Sequence, residues 1–469
     1  MITRECGGQR LSSWFGSTLI VLAGLAALHS VVHHGFLNVG FDDPGFVTEV
    51  EAVGPWSWQR LWMCFDRFYL YDYVPLPMVS FLLDYQAWGL DPRGYHSTNL
   101  LLHLAAALLV QRWATVTLQS AVGGVFAGLV FAIHPVQVEA VAIVAQRKTL
   151  LSAVFLLLAL LAYRRYVGTK LAVWNALGVA AFAAACLSKS SVVVFPLLLL
   201  LYDWLERRQF EWRDKIAYGV VALAAAAVSV YAKLGTVVKA PHGESVWMSA
   251  LVMSRVWWEY LAALFAPTDL APAYYYRRSE IAGAMSYVAL AALLAFFAIA
   301  WLYRERARWT AFCVGWMVVA LLPVANIVPI AVVRADRYLY LPMIGFCLWI
   351  GSWMVARERA HAKAGRNLLI AAMGMWCAWL AGEGARYAEV FRDDVSARAR
   401  AVERHPWAAP AHYLLALAWL DRGDVSRAET LARMAVDRDP TFTRAANLLS
   451  ELEARKGARV PSSGGTSEQ

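Results

Sequence analysis

Eleven apolar runs dominate this sequence, at about 14–34, 97–112, 117–133, 149–163, 171–187, 190–204, 216–234, 282–303, 309–325, 338–356 and 367–382. Each approaches the roughly 20 residues that cross a bilayer as a helix, although several are short. In hydrocarbon every backbone N–H and C=O has to pair within the protein, so unbroken apolar runs become helices. The pattern predicts an all-α, polytopic membrane protein of about eleven spans. Only 16% of the 469 residues are charged, against about 25% in soluble chains. The first run resembles a signal peptide in length, but no small-residue cleavage pattern follows it, and it reads as a retained helix.

Positive charge sets the expected orientation. Arg4 and Arg10 precede the first run, and Arg164-Arg165-Lys170, Arg207-Arg208-Arg213-Lys215, Arg304-Arg306-Arg308 and Arg357-Arg359-Lys363-Arg366 fall in alternate loops. All are cytoplasmic if the N-terminus is inside and Leu251 to Phe265 does not cross. Residues 235–281 then form one outer loop, with Trp257-Trp258-Glu259-Tyr260 in the interface. An odd number of spans puts the C-terminus outside. The net charge of +9 serves orientation and lipid attraction rather than nucleic-acid binding. Six scattered cysteines show neither disulfide nor metal spacing, so no metal site is expected.

Residues 35–96 become a long first outer loop. In it Trp56, Trp58, Leu61, Trp62, Phe65, Phe68 and Tyr69 make an aromatic stripe suited to a helix in the headgroup layer. The membrane domain covers 1–384. Beyond it charge rises and aromatics fall. Pro406 and Pro440 stand 34 residues apart, with Tyr413, Ala416, Leu417, Leu420, Gly423, Ala428 and Ala435 between them, the spacing of a tetratricopeptide repeat. One repeat with a flanking helix on each side fills 385–458. Three repeats are usually needed for stability, so this array is expected to lean on the membrane domain. Residues 459–469 read as a disordered polar tail.

Ionisable residues at the outer ends of the runs are the functional candidates, because charge near hydrocarbon is retained reluctantly. Asp42 and Asp43 follow the first run; two adjacent carboxylates repel, which favours a general base, although Asp-Pro-Gly is also turn chemistry. His134, Glu139, Arg147 and Lys148 lie between the third and fourth runs, where His134 could equally cap a helix and Arg147-Lys148 snorkel. Lys189 sits at the turn after the fifth run, as a point charge for phosphate or an interfacial lysine. Arg334, Asp336 and Arg337 precede the tenth; the arginine forks suit phosphate, and an internal Arg–Asp pair is the alternative. Tyr274-Tyr275-Tyr276-Arg277-Arg278 is a softer candidate of the same kind.

The runs around Phe41-Asp42-Asp43-Pro44, Gly94 to His103, His134 to Lys148, Ser188-Lys189 with Pro196 to Trp204, and Ala335 to Pro342 resemble the transmembrane-and-tetratricopeptide-repeat (TMTC-type) proteins and their prokaryotic relatives. Those are GT-C glycosyltransferases, with the protein O-mannosyltransferases as cousins. The resemblance implies an inverting transferase. It would move a monosaccharide, commonly mannose, from a polyprenyl-phosphate donor to a hydroxyl acceptor such as Ser/Thr of a protein. It requires no cofactor beyond the lipid-linked donor and works in the bilayer on the extracytoplasmic side. The family's acidic pair falls on Asp42 and Asp43 as catalytic residues; Arg334, Arg337 and Lys189 would hold the donor phosphate. The composition points to a bacterial inner membrane with periplasmic repeats. The competing readings are a non-enzymatic repeat scaffold and a GT-C enzyme acting on lipid-linked glycan.

Overall fold

The structure, a computed structural model, describes residues 7–209, 211–233, 245–327, 330, 332–360 and 363–457. The expected tail at 459–469 lies outside the described residues. No strand occurs among them, and the chain is a succession of helices joined by short turns. They are α1 (Gly7–Leu28), α2 (Trp58–Asp66), α3 (Pro75–Trp88), α4 (Pro92–Leu118), α5 (Ala121–Ile133), α6 (Val138–Ala142) and α7 (Arg147–Thr169). Then come α8 (Ala172–Ser188), α9 (Phe195–Leu205), α10 (Ile216–Lys233), α11 (Val246–Phe265), α12 (Arg278–Ile281), α13 (Ala284–Leu302) and α14 (Arg308–Leu321). Last are α15 (Pro342–Ala360), α16 (Lys363–Ala388), α17 (Asp394–Arg404), α18 (Ala409–Asp421), α19 (Val425–Arg438) and α20 (Thr443–Gly457).

Every expected run coincides with a helix. Among the described residues six helices, rather than the eleven expected, are able to cross a membrane by length and composition: α1, α4, α7, α10, α13 and α16. A seventh is added if α5 and the Pro135–Ala142 segment, bent by 54°, count as one broken span. The bend has a local cause. Pro135 offers no N–H, and the His134 imidazole takes over the cap, its Nδ1 accepting from the Val136 N–H at 3.3 Å. The helices α8, α9 and α14 are shorter and apolar.

The centre is α4 packed on α5 and α7, with α1 and α15 against α5. Small residues set the approach: a Cβ on Gly351 of α15 would lie 2.5 Å from the Gly123 carbonyl of α5. Such small-residue contacts let helices approach where no hydrophobic force drives them together. The outward faces of α1, α10 and α13 stay apolar, as at Trp14, Phe15, Leu22, Val220, Leu223, Leu294 and Trp301. So many exposed apolar side chains need lipid.

Within 245–281 the segment between the seventh and eighth runs is itself ordered: α11 runs for 20 residues, packs along α13 and is not among the helices long and apolar enough to cross. Trp257 and Trp258 meet Phe297 and Phe296 of α13, and Tyr260 is buried. The apolar face Leu251, Val252, Val256 and Leu264 recurs at helical spacing and is buried.

At the start of α7, Arg147 is fully buried. It pairs with Asp84 of α3 at 2.5 Å, donates to Asn99 Oδ1 at 2.9 Å and the Tyr95 carbonyl at 2.8 Å, and lies 4.4 Å from the Phe81 ring centroid. Asn99 in turn donates to the carbonyls of Val141 and Ile143. This network fixes α3, α4 and the α6–α7 turn together. Removing one partner of such a pair strands a buried charge, at about 3–5 kcal/mol. Arg147→Ala is therefore expected to lower the unfolding temperature in detergent strongly. Arg93→Ala, which breaks only the exposed Asp91 pair, should leave it nearly unchanged.

Candidate active site

The acidic pair separates on folding. Asp43 is completely buried, and its carboxylate accepts the Leu37 N–H at 3.0 Å and the Ala145 N–H at 2.7 Å. Burial pushes it up to about 7, against those two hydrogen bonds. It staples the loop after α1 to the turn before α7. Asp42 stays 43% exposed and stands 3.6 Å from Lys148 Nζ. Of the two, Asp42 is the carboxylate open to a second molecule.

Arg147 and Lys148 are consecutive on α7, so their side chains leave about 100° apart. Arg147 enters the core, as described, and Lys148 enters the site. Lys148 Nζ also reaches Asp72 at 3.4 Å and lies 4.6 Å from the Phe46 ring centroid. Asp72 was not among the expected residues. It closes a tight turn in which Tyr69 and Asp72 exchange backbone hydrogen bonds at 2.9 and 2.8 Å, with Leu70 and Tyr71 both at positive φ. A leucine there is a genuine outlier, at about 1–2 kcal/mol, and strain of this kind gathers at functional sites. The aromatic reading of this loop masked the carboxylate inside it.

Two more cations join. Lys189 donates to Thr149 Oγ1 at 2.8 Å, on the turn of α7 above Lys148. Burial, reinforced by Lys148 and Arg337, lowers its ammonium to about 7. Arg337 is held by Glu139, whose carboxylate takes both its guanidinium and, at 2.8 Å, its backbone N–H. Lys189, Arg337, Thr149, Ser152, Ser191 and Tyr338 line one small cavity.

The other candidates lie elsewhere. His134 is buried and bridges the end of α5 to α11 through the Leu264 carbonyl at 3.0 Å. Arg334 is closed into an ion pair with Glu259 at 2.5 Å, its guanidinium 3.8 Å from the Tyr274 ring centroid. Asp336 is buried and accepts the hydroxyls of Tyr274 at 2.7 Å and Tyr387 at 2.8 Å, and burial raises its pKa. These groups lock the 334–337 segment, and Arg337 alone of its two arginines lines the cavity.

This is a multi-pass, all-α membrane protein with a compact charged site where several helix ends meet. No family model matches the chain. In sequence it is TMTC-like. It is similar to protein O-mannosyl-transferase Tmtc1 of Drosophila melanogaster, with 34% identity over 235 residues, which is 47% of this chain and 27% of that protein. It is also similar to Tmtc2 of the same fly, 38% identical over 194 residues, 38% of this chain and 21% of that protein. The chain thus spans about a quarter or less of the length of these curated relatives. Among solved structures it is similar to the apo oligosaccharyltransferase of Archaeoglobus fulgidus, with a TM-score of 0.46 and 12% identity over 79% of this chain and 56% of that one. It is also similar to apo ArnT of Cupriavidus metallidurans, with a TM-score of 0.43 and 17% identity over 93% and 77%.

The separation of the acidic pair is directly measurable as stability. Asp43→Ala leaves two buried N–H groups without acceptors, at about 1–3 kcal/mol each. It should lower the unfolding temperature clearly, while Asp42→Ala should not.

Proposed function

We propose that this protein is an inverting membrane glycosyltransferase. It moves a monosaccharide, with mannose the first choice, from a polyprenyl-phosphate donor to a hydroxyl acceptor such as a Ser or Thr side chain, on the extracytoplasmic side. The observation that carries the reading is the partly exposed Asp42 carboxylate, salt-bridged to Lys148, beside the cavity that Lys189 and Arg337 share. The TMTC likeness of the sequence supports the same reaction class.

In this reading Asp42 takes the acceptor's hydroxyl proton while that oxygen bonds to the anomeric carbon. In the same displacement the bond from that carbon to the phosphate oxygen breaks, and its electron pair leaves on the lipid phosphate. Lys189 and Arg337 meet the growing negative charge. Glu139 fixes the Arg337 fork beforehand, so little reorganisation is needed when charge develops. One displacement inverts the sugar and leaves no covalent enzyme intermediate. An apolar cleft suited in chemistry to a lipid chain lies in the same helical bundle. Trp258, Phe265, Phe296, Met317, Phe346 and Trp349 line a cleft of about 420 Å³ between α11, α13, α14 and α15.

Loss of a positioned general base lowers rates by about 10²- to 10⁴-fold. Asp42→Asn is expected to lose transfer by that order in membranes supplied with polyprenyl-phosphate mannose, with donor binding retained. Wild-type turnover in that variant overturns the reading. Donor binding should also depend on pH. Lys189 is protonated below about 7, and a bound phosphodiester holds that proton to higher pH. Affinity is therefore flat below about 7 and falls as pH rises past it. Lys189→Met, in a titration of donor binding, should remove the fall.

A further inference from the structure

The loop that carries Asp42 is also gripped from outside the membrane domain. Asp394, on the first turn of α17, accepts the Asn38 N–H at 3.0 Å and the Val39 N–H at 2.9 Å, one on each carboxylate oxygen. One helical turn later Arg398 is buried, and its Nε donates to the Val39 carbonyl at 3.0 Å, with Nη2 on the same oxygen. The Arg398 guanidinium lies 3.8 Å from the Phe41 ring centroid, directly before Asp42. Gly40 allows this approach. Its φ is +67°, and a Cβ there would come within 3.0 Å of Arg398 Nη2 and 3.1 Å of Leu414.

The helix doing this is itself tied to the membrane domain. Arg400 donates to the Leu270 carbonyl at 3.1 Å, Arg404 pairs with Asp269, and the Gly35 N–H donates to the Arg392 carbonyl at 3.3 Å. Carboxylate and guanidinium bonds to backbone are the strong kind, about twice a neutral pair. Burying an arginine is costly unless it is hydrogen-bonded, and here both of its hydrogen bonds go to the Val39 carbonyl.

We infer that Asp394 and Arg398 are positioning residues, and that α17 clamps residues 38–41 so that Asp42 is presented to the reacting hydroxyl. The C-terminal helices then belong to the catalytic unit and are not only a recruitment module. The kinetic half of this inference rests on the transferase reading; the clamp itself does not.

The test uses the full chain in lipid nanodiscs, with Asp394→Ala, Asp394→Asn, Arg398→Ala and Arg398→Lys. Arg433→Ala is the control, because its partners Glu429 and Glu453 lie within α19 and α20. Two measurements are made: hydrogen exchange of the Val39 amide, and kcat and KM for the donor. The expected result is faster exchange at Val39 in the alanine variants. In these variants kcat should fall roughly 10- to 100-fold, as for a misplaced catalytic group, with KM unchanged. Asp394→Asn and Arg398→Lys should fall in between, and Arg433→Ala should match wild type. Should either alanine variant fail to fold, Asp394→Asn and Arg398→Lys decide by the same two readouts. Unchanged exchange at Val39 overturns the clamp; faster exchange with unchanged kcat overturns its positioning role. If wild type transfers no sugar, the transferase reading fails instead, and the exchange result alone decides the clamp.

Discussion

Everything in this site depends on one buried carboxylate. Asp43 joins two chain segments about a hundred positions apart by accepting one backbone N–H from each. Its two oxygens each take one of these N–H groups, so neither is left unpaired. Ala145 lies three positions before Lys148, so the staple that orders the acidic loop also fixes where the Lys148 ammonium falls relative to Asp42. Burying the carboxylate is unfavourable, as its upward pKa shift records. A residue kept for turn chemistry alone would have stayed in water.

Around that staple the charges balance. Asp42, Asp72 and Glu139 face Lys148, Lys189 and Arg337. At an effective dielectric near 20, two charges 4 Å apart interact by about 4 kcal/mol, so an unbalanced cluster here would strain the fold. Balance also divides labour. Asp42 stays partly exposed, while Lys189 and Arg337 face a shared cavity, so an arriving anion meets cations whose places are already set by Thr149 and Glu139. The ordering entropy is then spent on folding rather than on each turnover. Lys189 is the member whose charge answers most readily to its surroundings, because burial and two neighbouring cations already oppose its proton.

Much of this was legible in the sequence, and the failures are specific. Apolar runs located helices, because a lipid-facing helix has little choice of composition, but of the eleven expected spans only six or seven are helices long and apolar enough to cross among the described residues. Residues at their ends gave Asp42, Lys148, Lys189, Glu139 and Arg337 for the same reason. The sequence could not separate Asp42 from Asp43, or Arg147 from Lys148. Those neighbours are chemically alike, and their fates are decided by which backbone N–H or carboxylate tertiary packing brings near. Nor could it show that Arg334 would be closed off by Glu259, since that partner stands 75 positions away on α11 and only tertiary packing brings it near. Asp72 escaped because its turn is built from residues that ordinarily avoid positive φ, so no turn motif marked it.

The same logic bears on how the C-terminal helices are attached. Four helices, α17 to α20, share small clusters of alanines and leucines with Tyr413, Trp419 and Phe442 partly buried against them. Their first helix meets the membrane domain through charged side chains bonded to backbone, at Asn38, Val39 and Leu270. Contacts of that kind depend on exact distance and direction far more than apolar packing does. Apolar contact is present as well, Val39 packing against Val395, Leu415 and Ala418; apolar contact alone would hold the two parts together while letting them slide, and the backbone hydrogen bonds fix the register. A register matters only if something beside it has to be held in place, and the residues directly beside it are Phe41 and Asp42.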